Sequence, residues 1–241
     1  MAAYGDIRAR IEHLVEHELP EAEELARQVT GAVDVLITQS YLERRLQEFD
    51  IVELLAEAFA GIGITLGPEV AEEIVAIDHR AFTESVTVPD STIRVLETLQ
   101  GRGWRMGLVS NMHLRADLMH ADLAALGLDR FLSATVFSSE LGWRKPDARI
   151  FTAALQRLGV GPEEAVFVGD RLRDDIAGAR AVGMRTVLTR EFRDEIEGPE
   201  RADARRFWRS GEDIAVLRAD RSIRALAELP AVLEDWGRDH A

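Results

Sequence analysis

Apolar residues recur every three to four positions through the first 85 or so residues of the chain. Ile7, Ile11, Leu14 and Val15 fall on one helical face. So do Leu42, Leu46, Phe49, Val52, Leu55 and Phe59, and later Val70, Ile74 and Ile77. Gly61-Ile62-Gly63 and Gly67-Pro68 punctuate the pattern. It predicts a bundle of about four helices.

The texture changes near Val88-Pro89-Asp90. Beyond it, short apolar runs alternate with amphipathic ones. Residues 92–100, 114–126, 147–158 and 175–182 suit helices, and Met106–Val109, Ala134–Phe137, Ala165–Val168 and Arg185–Leu188 suit buried strands. Residues 190–212 read as an exposed polar loop, Ile214–Leu217 as a further strand and 222–236 as a closing helix. Such alternation predicts an α/β fold with parallel strands and helices on both faces. Two domains are expected, a helical one over residues 1–87 and an α/β one over 88–241. In such sheets ligands bind beyond the carboxyl ends of the strands.

Composition narrows the function. Net charge is −14, which argues against a nucleic-acid-binding face and against anionic membranes. It does not oppose a phosphate substrate if a divalent cation mediates the contact. There are no cysteines, so disulfide and thiol chemistry are excluded. No apolar run is long enough for a membrane span and no signal-peptide pattern opens the chain, so a cytoplasmic protein is expected.

The usage of lysine and asparagine is unusual. Of 29 basic residues 28 are arginine, the exception being Lys145, and Asn111 is the only asparagine. A compact ammonium differs chemically from a planar guanidinium fork. A neutral amide both donates and accepts hydrogen bonds. Both residues lie in motifs at strand ends. Gly107-Leu108-Val109-Ser110-Asn111 places a hydroxyl and backbone N–H groups where phosphate oxygens can bind. The same Ser or Asn would equally suit a helix N-cap. In Gly142-Trp143-Arg144-Lys145-Pro146-Asp147, the proline favours an extended Lys145 followed by a helix start. Lys145 is thereby a candidate phosphate ligand at the mouth of the sheet, with Trp143 packing beside it. In Val166-Phe167-Val168-Gly169-Asp170-Arg171-Leu172-Arg173-Asp174-Asp175, an apolar strand runs into clustered carboxylates. Hard oxygen donors near phosphate suit Mg²⁺. Asp174 and Asp175 could instead serve the start of the next helix, whereas Asp170 comes too early for that role. His13 and His17, one turn apart, read as a solvated face, and His113 as either a pocket-mouth or a surface residue.

Taken in order, these three motifs resemble those of the haloacid dehalogenase-like hydrolase superfamily. The resemblance covers about residues 86–236, including Asp175–Gly183 and the closing Ala-Asp-Arg-Ser-Ile and Leu-Ala-Glu-Leu-Pro segments. It implies a three-layer, Rossmann-like core with a helical cap, and a Mg²⁺-dependent phosphatase acting on a small phosphorylated metabolite. Ser110, Asn111 and Lys145 would bind the substrate, Ser110 and Lys145 would act in catalysis, and Asp170 with Asp175 would hold Mg²⁺. The family's first motif, a strand ending in Asp-x-Asp whose first Asp is the nucleophile, is absent from these 241 residues. Asp34-Val35-Leu36-Ile37-Thr38 has Leu36 where the second acid should stand, within helix-like sequence. In the resembled fold that strand lies between those ending at Ser110 and Gly169. One strand and its turn need only about 10–15 residues. The expectation is therefore a chain that has lost a short upstream segment and its activity. The alternative is a non-catalytic relative that keeps the phosphate and metal pocket.

Overall fold

The computed structural model describes residues 2–15, 18–43, 45–191 and 218–238. The chain divides into two compact units, Met1–Thr87 and Val88–Ala241. The first contains four α-helices among its described residues: α1 (Ala2–Ile11), α2 (Ala22–Leu42), α3 (Ile51–Gly61) and α4 (Pro68–Ser85). Ile7, Ile11, Leu25, Val29, Phe59 and Ile74 are among the buried side chains of an apolar cluster in this unit. The apolar spacing from Leu42 to Phe59 does not form one helix. α2 stops at Leu42, and Asp50 starts α3 afresh by accepting hydrogen bonds from the Val52 and Glu53 N–H groups. Periodicity alone missed this N-cap, which satisfies two otherwise orphaned donors. Asp34–Thr38 lies inside α2.

The second unit alternates as the pattern predicts. α5 (Asp90–Gly101) leads to β1 (Met106–Ser110), α6 (Ala116–Ala125), β2 (Leu132–Phe137), the short α7 (Ser138–Leu141) and α8 (Ala148–Leu158). β3 (Val166–Gly169), α9 (Gly178–Ala181), β4 (Arg185–Thr189), β5 (Arg221–Ile223) and α10 (Leu229–Arg238) follow. A turn of π-helix, Leu172–Ala177, precedes α9, so the expected helix from 175 starts earlier and in a wider form. β5 matches the Ala-Asp-Arg-Ser-Ile segment. The Ile214–Leu217 strand and nearly all of the 190–212 loop lie outside the described residues, as does His17.

All strand pairs are parallel, but the described strands form two sheets, β1-β2 and β3-β4-β5. β1 and β3 are not hydrogen-bonded to each other. They share apolar clusters instead. One joins Met106, Val166, Val168, Val187 and Ile223 to Val95 and Leu99 of α5 and Leu229, Leu233 and Trp236 of α10. The other joins Val109, Val136 and Phe167 to Ile150, Phe151 and Ala154 of α8 and Ala179 of α9. Val166 and Val168 enter one cluster and Phe167 the other, as alternation along a strand requires. The result is a three-layer α/β arrangement with helices on both faces.

Candidate active site

Three loops leave the carboxyl ends of β1, β2 and β3 and carry the predicted residues. Ser110 is the last residue of β1, in register with Phe137 of β2. α6 begins only at Ala116, with Arg115 at its N-cap position, so neither Ser110 nor Asn111 caps it. The loop is held to β2 by Ser138, which is fully buried. Its hydroxyl accepts from the Met112 N–H at 2.7 Å, so that amide is not available to a phosphate. Ser110 is half-buried, and its hydroxyl makes no hydrogen bond to the described residues.

Lys145 follows β2 and α7. Its peptide to Pro146 is cis. Pro146 does not open the helix; Asp147 does, accepting from the Arg149 N–H at 2.9 Å as the N-cap of α8. Arg149 also grips Asp147 through two guanidinium bonds and stacks 3.1 Å from the centre of the Trp143 ring. Trp143 therefore packs against this surface arginine. The Asp147 carboxyl is held below the usual range, first by the Arg149 side chain.

The ammonium of Lys145 donates to the Val109 carbonyl at 3.0 Å and lies 2.7 Å from Asp175 Oδ1. The latter contact is an ion pair outside good hydrogen-bond alignment. An ammonium has three donors; with one bonded to Val109 and one turned toward Asp175, a third is left for a ligand. The main chain of Lys145 is held by Asn111. Asn111 Nδ2 donates to Lys145 O at 3.1 Å, and Lys145 N donates to Asn111 Oδ1 at 2.6 Å. Asn111, expected among the substrate ligands, is thus engaged with protein backbone.

The loop after β3 is shaped by Asp175. Its Oδ2 accepts from the Asp170 and Arg171 N–H groups at 3.1 and 3.0 Å. The π turn, in which Ile176 N donates to Arg171 O, brings both Asp174 and Asp175 into the interior. Two glycines permit this close approach. A Cβ on Gly169 would run into the Asp175 carboxylate, and one on Gly178 would stand 2.5 Å from the Phe151 ring and 3.1 Å from Pro146 Cα. Burial pushes the Asp174 carboxyl above its ordinary value, and the Arg171 guanidinium at 3.4 Å opposes that shift.

Asp175 was expected as a second metal ligand. Here both its oxygens face other partners, Oδ2 two amides and Oδ1 the ammonium. Among the described residues no three His, Asp, Glu or Cys side chains converge to hold a metal ion. The donor set therefore does not fit a metal caged by protein alone. A Mg²⁺ held here would take a single carboxylate, Asp170, and complete its shell with water and phosphate oxygens, a common mode for this ion.

The burial of Asp174 and the Asn111 bridge were the features sequence reasoning missed. The raw signal for the bridge was present, since Asn111 and Lys145 are each unique in the chain. The burial of Asp174 had no such signal, because it depends on the π turn.

Comparisons with known proteins converge on one family. A profile described as haloacid dehalogenase-like hydrolase matches residues 6–183. A glyceraldehyde 3-phosphate phosphatase of Methanopyrus kandleri is 37% identical over 185 residues, covering 76% of this chain and 73% of that protein. A ribulose-1,5-bisphosphate 5-phosphatase of Halopiger xanaduensis is 36% identical over 151 residues, covering 62% of this chain and 58% of that protein. The crystal structure of a 2-haloacid dehalogenase from Pseudomonas syringae pv. Tomato superposes with a TM-score of 0.65 at 22% identity, covering 98% of this chain and 89% of that one.

Proposed function

The chain belongs to the haloacid dehalogenase-like hydrolases, and from that premise we propose a phosphatase-type member that binds small phosphorylated metabolites with the help of Mg²⁺. Residues 1–87 would be its cap. The observation that carries this reading is the position of Ser110. Its hydroxyl has no hydrogen-bond partner among the described residues. It stands between two residues that both bond Lys145, Val109 through its carbonyl and Asn111 through its amide. A hydroxyl donor and a spare ammonium N–H at one strand end suit the oxygens of a phosphoryl group. Charge-assisted bonds of this kind are roughly twice as strong as neutral ones.

Each residue then has a distinct role. Ser110 and Lys145 bind phosphoryl oxygens, and Lys145 offsets charge that builds up on them. Asp175 holds the ammonium and, through two amides, the loop that presents Asp170. Asp170 would share Mg²⁺ with the phosphate. When bound, the ion would supply charge neutralisation and orient the phosphoryl group. The names of the two relatives point to phosphorylated sugars of three to five carbons as the substrate class.

The absence of Asp-x-Asp from the sequence favours a second reading, a pocket that binds phosphate without hydrolysing its esters. The two readings part in one assay. Phosphate release from glyceraldehyde 3-phosphate and ribulose 1,5-bisphosphate is followed with Mg²⁺ and with excess EDTA, alongside titration of inorganic phosphate. Release that EDTA abolishes supports the phosphatase. Binding without release supports the second reading, and neither binding nor release overturns both.

A further inference from the structure

We propose that Asn111 is a positioning residue that acts through Lys145, and not a ligand of the substrate. This rests on the reading of Lys145 as the phosphoryl-binding cation. The side-chain amide of Asn111 meets the main chain of Lys145 as one peptide group meets another in a β-bridge. Nδ2 donates to the carbonyl at 3.1 Å, and Oδ1 accepts from the N–H at 2.6 Å. The two residues are 34 positions apart, so the bridge ties the loop after β1 to the loop before α8.

The chemistry selects asparagine. A carboxylate would accept from the Lys145 N–H but could not donate to its carbonyl. A serine hydroxyl can donate and accept at once, as Ser138 does with Met112, but it does so through one oxygen and lacks the two-atom edge of an amide. A glutamine is a methylene too long for the same ring. Only a short amide presents donor and acceptor side by side. This is the one asparagine in the chain, and it meets the one lysine.

The bridge completes a set of restraints on Lys145 that all come from the two strand ends. Asn111, just past β1, fixes the backbone. Val109, within β1, fixes the ammonium at 3.0 Å, and Asp175 holds it from the β3 side at 2.7 Å. A lysine side chain otherwise has four rotatable bonds and no fixed direction. With both ends anchored, its remaining N–H is aimed before any ligand arrives. Such pre-orientation removes ordering cost from the binding step.

The single lysine makes the test direct. Protein labelled with ¹³Cε-lysine gives one lysine side-chain NMR signal, and that signal reports Lys145 alone. In the ligand-free protein, Asn111→Ala should move or broaden it. Asn111→Asp, which keeps the 2.6 Å acceptor, should perturb it less. Inorganic phosphate, titrated with Mg²⁺, should bind Asn111→Ala about tenfold more weakly, the loss expected for about one hydrogen bond's worth of free energy. If Asn111→Ala does not fold, Asn111→Asp is decisive by itself, since it must still shift the signal relative to wild type.

Phosphate affinity that falls while the ligand-free lysine signal stays unchanged would make Asn111 a direct ligand and overturn the proposal. Unchanged affinity and unchanged signal would overturn it as well. Failure of the underlying reading looks different: wild type would not bind phosphate at all, yet the ligand-free signal would still move in Asn111→Ala if the bridge positions Lys145.

Discussion

A lysine side chain 12% exposed beside an aspartate 4% exposed stands or falls with its partner. Lys145→Met would leave Asp175 buried without its counter-charge, and breaking such a pair costs about 3–5 kcal/mol. Adding Asp175→Asn removes the stranded charge and keeps an oxygen for the Asp170 and Arg171 amides. The double variant should therefore unfold at a higher urea concentration than Lys145→Met alone; a lower midpoint would show that the pair is not coupled. Gly178→Ala belongs to the same scale. Its new methyl meets Phe151 at 2.5 Å and the Pro146 backbone at 3.1 Å, within a packed interior. Overpacking of this kind costs about 1–3 kcal/mol, measurable as a fall in unfolding midpoint. At this scale the positions of Ser110, Lys145 and Asp170 past the strand ends were legible from residue type and motif. The engagement of Asp175 with Lys145 was not, because it depends on a π turn that no spacing rule announces.

The helices and strands around the site were legible where burial follows a simple period. α8 shows this, with Ile150, Phe151, Ala154 and Leu155 turned inward and Asp147 at its N-cap. Strands β1 to β4 appeared as apolar runs because parallel strands are covered on both faces. Two features defeated the period. One is the break between α2 and α3, where a cap overrides continuous apolar spacing. The other is the split of the described strands into two sheets, which no period along the chain shows. Asp147→Ala tests the capping argument. Loss of the cap should cost about 1 kcal/mol at neutral pH. The Asp147 carboxyl is held below its ordinary value of 3.8 by the Arg149 side chain and the Arg149 amide. Because the folded value is the lower one, the carboxylate stabilises the fold fully above the ordinary value. That contribution is lost as pH falls below it. The stability gap between wild type and Asp147→Ala should accordingly narrow in acid urea titrations, and a gap that widened there would contradict the assignment.

For the molecule as a whole, the net charge of −14 sets the electrostatic problem. Under the proposed function a phosphate ester would meet a field of its own sign, and a divalent cation beside Asp170 would mediate the contact. Affinity for inorganic phosphate should rise with Mg²⁺ and fall when EDTA removes it. Among the described residues no helix is long and apolar enough to cross a membrane. The α/β class of the second unit follows from one visible change in apolar pattern, near Val88. The substrate does not, because it depends on which side chains surround the phosphate and not on their period. Ser110→Ala tests the central claim most directly, since that hydroxyl supports nothing else among the described residues. Calorimetric titration of inorganic phosphate in Mg²⁺ should show about a tenfold loss of affinity, with the unfolding midpoint unchanged. Equal affinity in the two proteins would contradict the placement of a phosphoryl site at the end of β1.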